Sequence, residues 1–292
     1  MTTVDLSHQP VVTGTLVALL ASSSPQLESV SLSHCSGLVA ADLLPLLAAP
    51  DNSLEKLHIA GFKGMNVVIL RAIGRSGGRL KSLDLSYTDV TDSALAALVA
   101  IPQAEAPKAD SASVRLVVSH GGQYEPLRQG ETYALRVFPA LQHLNLSVCR
   151  SLSDVGAAHL TDATPALRFL QLASLGRLPA HLLAREPVNP PPLARLIASL
   201  PALEKVDFED SDAIDDDVLR LLAASCARVE HVVVSGCRRL SAAGLGHVVS
   251  DCRALRVLEA DGTRISDAQV KAFIEGFRAL GVCGAALSVL DS

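Results

Sequence analysis

The chain has 292 residues, of which 49% are hydrophobic but only 3% are aromatic, and it contains no tryptophan. Its formal net charge is −5, and no tract of basic and aromatic residues suggests nucleic-acid binding. No apolar run reaches the roughly 18–20 residues that span a bilayer, no signal-peptide pattern opens the chain, and the cysteines are too sparse for a disulfide scaffold. We therefore expect a cytoplasmic or nuclear protein with reduced thiols and no membrane association.

A seven-residue pattern, Leu-x-x-Leu-x-Leu-x, recurs along the chain. Its first positions fall at residues 1, 27, 54, 80, 141, 167, 203, 229 and 255, and most successive copies are 26 residues apart. A weaker copy, SVRLVVS at 113–119, lies in the 61-residue gap, and LSVLDS at 287–292 begins one more copy. Repetition at this period is typical of a solenoid, and the pattern predicts about ten units.

Each copy of the pattern predicts a short strand with one buried face. Positions four and six are apolar and alternate with polar residues, which is the two-residue period of a half-buried strand. In the fourth copy Leu83 and Leu85 are expected to point inward, while Ser82, Asp84 and Ser86 point outward.

A helix is predicted about ten residues after each strand. The segments at 92–100 and 267–277 carry apolar residues at helical spacing. Thr91, Ser153 and Ser266 each precede an acidic residue, which predicts an N-cap followed by a carboxylate in the first turn. One strand and one helix cannot bury their apolar faces alone, so the units must stack, with a parallel sheet on the concave face and helices on the convex face.

The repeat extends over the whole chain, which predicts a single domain at 1–292 with irregular stretches at 102–140 and 175–201. The first contains a segment rich in alanine, proline and charge, which is typical of an exposed loop. In the second, the three prolines at 190–192 exclude a continuous helix, and a helix is expected to restart near Leu193. Both stretches are candidates for recognition loops, and neutral variation in length is the alternative.

Cysteines recur at two places in the unit. Position nine holds Cys35, Cys149 and Cys237, and it holds Thr88, Ser211 and Thr263 in other units; a second series comprises Cys226 and Cys252. Zinc sites use closely spaced pairs of cysteines, whereas these residues lie at opposite ends of a unit. The spacing therefore predicts buried, weakly hydrogen-bonding core residues and no metal site, while Cys283 belongs to neither series and is expected to be a free thiol.

The run L-x-x-L-x-L-S-x-C-x-x-L-S-D-x-G-x-x-x-L at 141–160 resembles the cysteine-containing leucine-rich repeat of F-box/LRR (RNI-like) proteins. The resemblance implies a horseshoe that presents a substrate to a cullin-based (SCF-type) ubiquitin ligase. No F-box is visible in the sequence, so a Skp-type adaptor is expected only if an F-box lies outside this chain. The pattern begins at Met1 and stops inside a copy, so we expect the chain to be part of a longer product.

No motif for catalysis or for cofactor binding occurs in the sequence. His58, Ser82 and Asp84 could form a catalytic triad, but no strained turn exposes the serine as a nucleophile. His58, His143 and His231 occupy outward strand positions, where polar residues recur in every unit. We therefore expect a binding protein without catalytic residues, metal or cofactor.

The best-supported contacts for a partner lie in the last units. Asp207, Glu209, Glu259 and Asp261, here named the acidic strip, are predicted to lie side by side on the concave face, with His231 on the strand between them. The adjoining segment at 209–217 is also acidic and is interpreted as a solvated turn that leads into a helix. The strip predicts a protein partner with a basic segment, either as a substrate for ubiquitin-dependent degradation or as the partner of a stand-alone scaffold or inhibitor.

Overall fold

A computed structural model describes residues 2–48, 53–102, 133–176 and 190–266, together with isolated positions between 268 and 288. Its strands are β1 Thr3–Asp5, β2 Ser29–Ser31, β3 Lys56–His58, β4 Ser82–Asp84, β5 Ala100–Pro102, β6 Tyr133–Leu135, β7 His143–Asn145, β8 Phe169–Gln171, β9 Lys205–Asp207, β10 His231–Val233, β11 Val257–Glu259 and β12 Ala286–Ser288. Its α-helices are α1 Gly14–Ser23, α2 Leu44–Leu47, α3 Val67–Ser76, α4 Asp92–Val99, α5 Asp154–Ala157, α6 Pro192–Ala198, α7 Asp216–Ser225 and α8 Ala242–Asp251.

Ten strands form one parallel sheet, in the order β1-β2-β3-β4-β7-β8-β9-β10-β11-β12. Neighbouring strands pair in register at position four of the repeat, as in Leu57 opposite Leu83 and Leu83 opposite Leu144. Position four is buried in all nine copies, as predicted, and position six is buried in all but the first and last, where Leu6 and Ala260 are partly buried. Leu83 and Leu85 are at most 1% exposed. Helices pack on their neighbours along the other side of the sheet, so the predicted leucine-rich-repeat solenoid is confirmed.

The placement of a repeat unit at 113–119 is wrong, although those residues themselves lie outside the described ranges. Strand β4 pairs directly with β7, which leaves no room for an intervening strand. The chain leaves the solenoid after α4 through β5, which pairs antiparallel with β6 on the return. The stretch between β5 and β6 therefore adds no strand between β4 and β7. Strand β12 supplies the tenth strand of the sheet, but Leu287 lies opposite Leu258 and so takes position four of its unit; the predicted start of the last copy at residue 287 is therefore wrong by three residues.

The second irregular stretch agrees with the sequence analysis where the structure describes it. After β8, Gly176 forms an isolated bridge with Ser153, and residues 177–189 fall outside the described ranges. Helix α6 begins at Pro192, next to the predicted restart at Leu193. Proline is well suited to the first turn of a helix, where its missing N–H would have no partner.

The chain turns sharply at position eight of every unit. The residue there has a positive φ in all nine copies of the pattern: His8, His34, Gly61, Tyr87, Val148, Ser174, Asp210, Gly236 and Gly262. Only three of the nine are glycine, so the turn is imposed by the stack on residues that do not favour it. This position directs the chain from the sheet toward the helices.

In four units the residue at position nine donates a hydrogen bond to the unit before it. Cys35, Cys149 and Cys237 donate their S–H groups to the carbonyls of Leu6, Leu85 and Phe208, at position six of the preceding unit. The Ser211 hydroxyl donates in the same way to the Leu172 carbonyl at 2.7 Å. The five cysteines among the described residues are buried and unbridged, as predicted, whereas Cys283 lies outside those residues.

The predicted N-caps also connect neighbouring units. The Thr91 and Ser153 hydroxyls accept hydrogen bonds from the first turns of α4 and α5. Asp92, the first residue of α4, accepts the Ser153 N–H at 2.8 Å and the Ser153 hydroxyl at 2.6 Å. Asp216 binds Ser241 in the same way one unit before α8. Ser266 contacts Gln269, but most of the helix predicted at 267–277 lies outside the described residues.

The glycine of the Ser-Asp-x-Gly motif makes room for this contact. A Cβ added to Gly156 would collide with the Asp92 carboxylate. We expect Gly156→Ala to lower the free energy of unfolding by about 2 kcal/mol, because Asp92 must give up hydrogen bonds to Ser153. Urea unfolding measures the loss. Gly78→Ala is the control, since its Cβ would enter open space; equal losses in the two variants would contradict this role of Gly156.

Candidate interaction surface

The outward face of the sheet consists of columns of side chains from positions three and five, joined by position seven in the outer units. Ser86, predicted to point outward from position seven, is buried at 4% exposure, and Ser147 is buried at 8%. Side chains in a column lie on neighbouring strands, about 4.8 Å apart. The first two units present mainly hydroxyls, and the Ser7 and Ser31 hydroxyls are 2.6 Å apart. The later units present larger and charged groups, so the chemistry of this face changes along the solenoid.

The structure brings the four residues of the acidic strip together at one end of the face. Val233 pairs with Asp207 on one side and with Glu259 on the other, so the strip spans three adjacent strands. Val233 is 7% exposed and forms a neutral floor between the two acidic strands. Glu209 and Asp261 follow in the next column, beyond the ends of β9 and β11.

Two members of the strip also make contacts within the chain. The Asp207 carboxylate accepts the Glu209 N–H at 3.0 Å, as an aspartate at the end of a strand often does. The Glu259 carboxylate lies 2.9 Å from Nε2 of His231. The sequence predicts only that His231 lies on the strand between the acidic residues. In the structure its ring also contacts Glu259 directly.

The crowding of carboxylates affects Glu209. Partial desolvation raises the pKa of Glu209, and the charges of Asp207, Asp210 and Glu259 raise it further. Asp210 is an addition to the predicted set: it takes the left-handed position eight beside the strip and lies against Gly236 of the next unit. Like charges held this close favour a cation at the strip.

A stack of three side chains lies near the middle of the face. The rings of His143 and Phe169 are 4.3 Å apart and tilted by only 5°, and the Arg168 guanidinium is 5.7 Å from the Phe169 ring. Glu204 holds Arg168 through two hydrogen bonds of 2.8 and 2.7 Å. Burial lowers the pKa of His143, and the positive charge of Arg168 lowers it further, so this ring is mainly neutral near pH 7.

The sequence does not predict this stack, because each of its members is an ordinary residue when considered alone. The repeat pattern places His143 at an outward position, but it marks Phe169 only as one residue of a strand. Arg168 and Glu204 occupy position two of successive units, where opposite charges also meet in Lys81 and Glu55, 2.7 Å apart. A comparison of outward positions between neighbouring units could have found both features.

The candidate triad is only partly assembled. Nε2 of His58 lies 2.9 Å from the Ser82 hydroxyl, as a general base and a nucleophile would. The Asp84 carboxylate, however, accepts the Ser86 N–H at 2.9 Å. Backbone N–H groups in a sheet are used by the strand pairing, which gives no donors for an oxyanion. The arrangement favours the interpretation as a surface contact.

Within the described ranges, no group of three or more His, Cys, Asp or Glu side chains is placed to hold a metal ion. No helix in the described part of the chain is long and apolar enough to cross a bilayer.

Comparison with protein-family models gives no match, and comparison with curated proteins gives none either. Among solved structures, internalin C2 of Listeria monocytogenes superposes with a TM-score of 0.51 and 18% identity, covering 89% of this chain and 80% of that one. At such low identity the likeness concerns the fold, and it supports the leucine-rich-repeat solenoid.

Two weaker similarities complete the comparison. The leucine-rich-repeat-containing protein LegL7 of Legionella pneumophila has a TM-score of 0.45 and 16% identity, over 89% of this chain and 73% of that one. A chain from the yeast Rad7 and Elc1 complex has a TM-score of 0.34 and 16% identity, over 91% and 78%. Neither superposition is close enough to support an argument about function.

Proposed function

We propose that this chain is a protein-binding module whose concave face holds a basic segment of a partner protein. The acidic strip carries the proposal, because its four carboxylates lie on or just beyond β9 and β11, on either side of the neutral Val233 of β10. Strands β9, β10 and β11 each pair with a neighbour on both sides, so the outward side chains are what a partner would recognise here. Such a surface attracts a cationic segment and disfavours an acidic one.

The nearby basic side chains do not cancel the strip. Lys205 lies at position three of β9, a column away from the carboxylates at positions five and seven. Among the described contacts, His231 meets the strip at Glu259, and Arg239 reaches Asp215, 3.9 Å away on the helical side. The carboxylates of Asp207, Glu209 and Glu259 outnumber the one imidazole beside them, so the strip keeps a net negative charge.

Reversing all four charges of the strip to lysine is expected to weaken binding of a basic peptide at least about 100-fold, since attraction becomes repulsion. The probe is a fluorescein-labelled 12-residue peptide of alternating arginine and serine. Fluorescence anisotropy at about 50 mM salt measures the dissociation constant, because higher salt screens exposed charges. Unchanged affinity in the variant would rule out the acidic strip as the contact surface.

A smaller matched pair controls for net charge. Glu209→Lys with Glu259→Lys changes the total charge as much as Glu28→Lys with Asp251→Lys does. Glu28 lies at position two of an early unit and Asp251 ends α8 on the helical side; both are exposed and outside the strip. The first pair should weaken peptide binding about tenfold and the second by less than about twofold. Equal effects would mean that the peptide responds to overall charge alone.

The biological role that we propose for this module is substrate recognition for an SCF-type ubiquitin ligase. Its support is the cysteine-containing repeat, whose position-nine residues bind the preceding unit as buried donors. Co-purification of the chain, in its full natural product, with a Skp-type adaptor tests this role. Absence of the adaptor would favour the alternative, a stand-alone scaffold or inhibitor that binds its partner without a ligase.

A further inference from the structure

The Phe169 stack and the acidic strip lie on neighbouring strands of the same face. Phe169 is at position three of β8, and Gln171 of that strand pairs with Asp207 of β9. No other outward position of β1–β4 or β7–β11 carries a phenylalanine or tyrosine. An apolar ring that is partly exposed beside charged residues is an unusual use of an outward position.

The ring is held in place before any partner arrives. His143 covers one side at 4.3 Å, and Arg168, fixed by its two hydrogen bonds to Glu204, stands 5.7 Å from the ring centre. An immobilised side chain loses little conformational entropy on binding, and aromatic residues and arginine are enriched among those that dominate binding energies. The stack therefore has the properties of an anchor point.

The spacing from this anchor to the carboxylates matches an extended chain. From strand spacing and rise, Phe169 lies about 8 Å from Asp207 and about 16 Å from Glu259, measured between backbone positions. In an extended peptide, side chains on one face repeat about every 6.7 Å, so residues two and four positions away lie at about 7 and 13 Å. The peptide spacings are about 1 and 3 Å shorter than the distances on the sheet. The concave curvature of the sheet and the long side chains of arginine and lysine can make up these differences.

We infer that the concave face recognises an extended peptide with an apolar residue and two basic residues at alternate positions. The apolar side chain packs on the Phe169 stack, and the basic side chains two and four residues away pair with Asp207 and Glu259. The intervening residues point away from the sheet. This inference rests on the proposed binding function and adds to it the pattern of the partner segment.

Four peptides with one fluorescent label test the pattern. SGLSRSRSG has the required spacing, and SGRSRSLSG has it in the opposite chain direction. SGSLRSRSG has the composition of the first peptide but moves leucine to the other face of an extended chain, and SGASRSRSG lacks the large apolar side chain. The better of the first two should bind about tenfold tighter than either of the last two, because only it buries leucine on Phe169.

Phe169→Ala locates the contact. This variant should bind the better leucine peptide about tenfold more weakly and the alanine peptide unchanged, which also shows that the acidic strip is still folded. Tyr87→Ala is the matched control, since Tyr87 is an exposed aromatic residue of an earlier unit that also contacts a histidine ring; it should leave both affinities unchanged.

The outcomes separate this inference from the proposed function. Equal binding of the leucine, shifted and alanine peptides, or an equal loss for the leucine and alanine peptides in Phe169→Ala, would overturn the apolar anchor while leaving a basic partner intact. Failure of all four peptides and of the arginine–serine peptide to bind would overturn the proposed function itself.

Discussion

Raising the pH from 8 to 10 is expected to lower the free energy of unfolding by about 4 kcal/mol through three buried thiols alone. Burial raises the pKa of Cys226 and Cys237 to about 12 and that of Cys252 to about 11. These thiols stay protonated in the folded chain at pH 10, whereas in the unfolded chain, with an ordinary pKa of about 8.5–9, they ionise.

The sign follows from proton binding. Between pH 9 and 11 the folded chain holds more protons than the unfolded chain, so stability falls as pH rises, by about 1.5 kcal/mol per thiol at pH 10. Full stability is present below the unfolded pKa. Burial also raises the pKa of Cys149, which acts in the same direction. Urea unfolding at pH 8 and at pH 10 measures the difference.

The variant Cys226→Ala with Cys252→Ala separates the thiols from other titrating groups. Both side chains are buried, so the variant is less stable at every pH, but it retains every other titratable group of the chain. Its loss between pH 8 and 10 should be about 3 kcal/mol smaller than that of the parent chain. An equal loss in both would show that these thiols are not the cause.

Phe208→Ala is expected to lower the free energy of unfolding by about 3–5 kcal/mol, because it removes a large buried side chain and leaves a cavity. Phe208 is completely buried at position six of its unit, and its carbonyl accepts the Cys237 S–H at 3.0 Å. Other units have Leu32, Ile59 or Val234 at this position, also completely buried. Denaturant unfolding followed by circular dichroism measures the loss.

Phe208→Leu provides the comparison for the cavity. Leucine is the commonest residue at position six, so the layer accepts its shape, and we expect a loss of only about 1 kcal/mol. If alanine and leucine at 208 destabilised the chain equally, the aromatic ring rather than the filled volume would be what the layer requires.

The strand positions could be predicted from sequence because two physical requirements act on the same residues. Alternation places Leu83 and Leu85 on one face, and recurrence after 26 residues requires the next unit to bury the same face. The error at 113–119 shows that alternation of apolar and polar residues is not sufficient to identify a repeat unit. Leu116 and Val118 fit the two core positions, but Ser113 stands where true units have Leu, Val or Met. A strand pattern without its flanking apolar residue did not identify a unit.

The sequence could predict which residues of the candidate site share a face, because that follows from each residue's position in the repeat. It could not predict the side-chain contacts between units. The acidic strip followed from strand order and spacing, and its placement agrees with the structure. The pairing of His231 with Glu259, and the stacking of His143 on Phe169, depend on rotamers that join different units. The repeat pattern describes what units share, whereas these contacts arise from how neighbouring units differ.

The direct pairing of β4 with β7 has a consequence for how this chain can change its length. Leu83 and Leu144 are 61 positions apart in the sequence, yet their strands pair directly. Elsewhere in the sheet, most paired residues are only 26 positions apart. The entropy of closing a loop grows only with the logarithm of its length, so the longer connection costs only about 0.7 kcal/mol more. Sequence can therefore be gained or lost between β5 and β6 without altering the sheet, and this junction is the natural place to insert a reporter domain or to tether a second module.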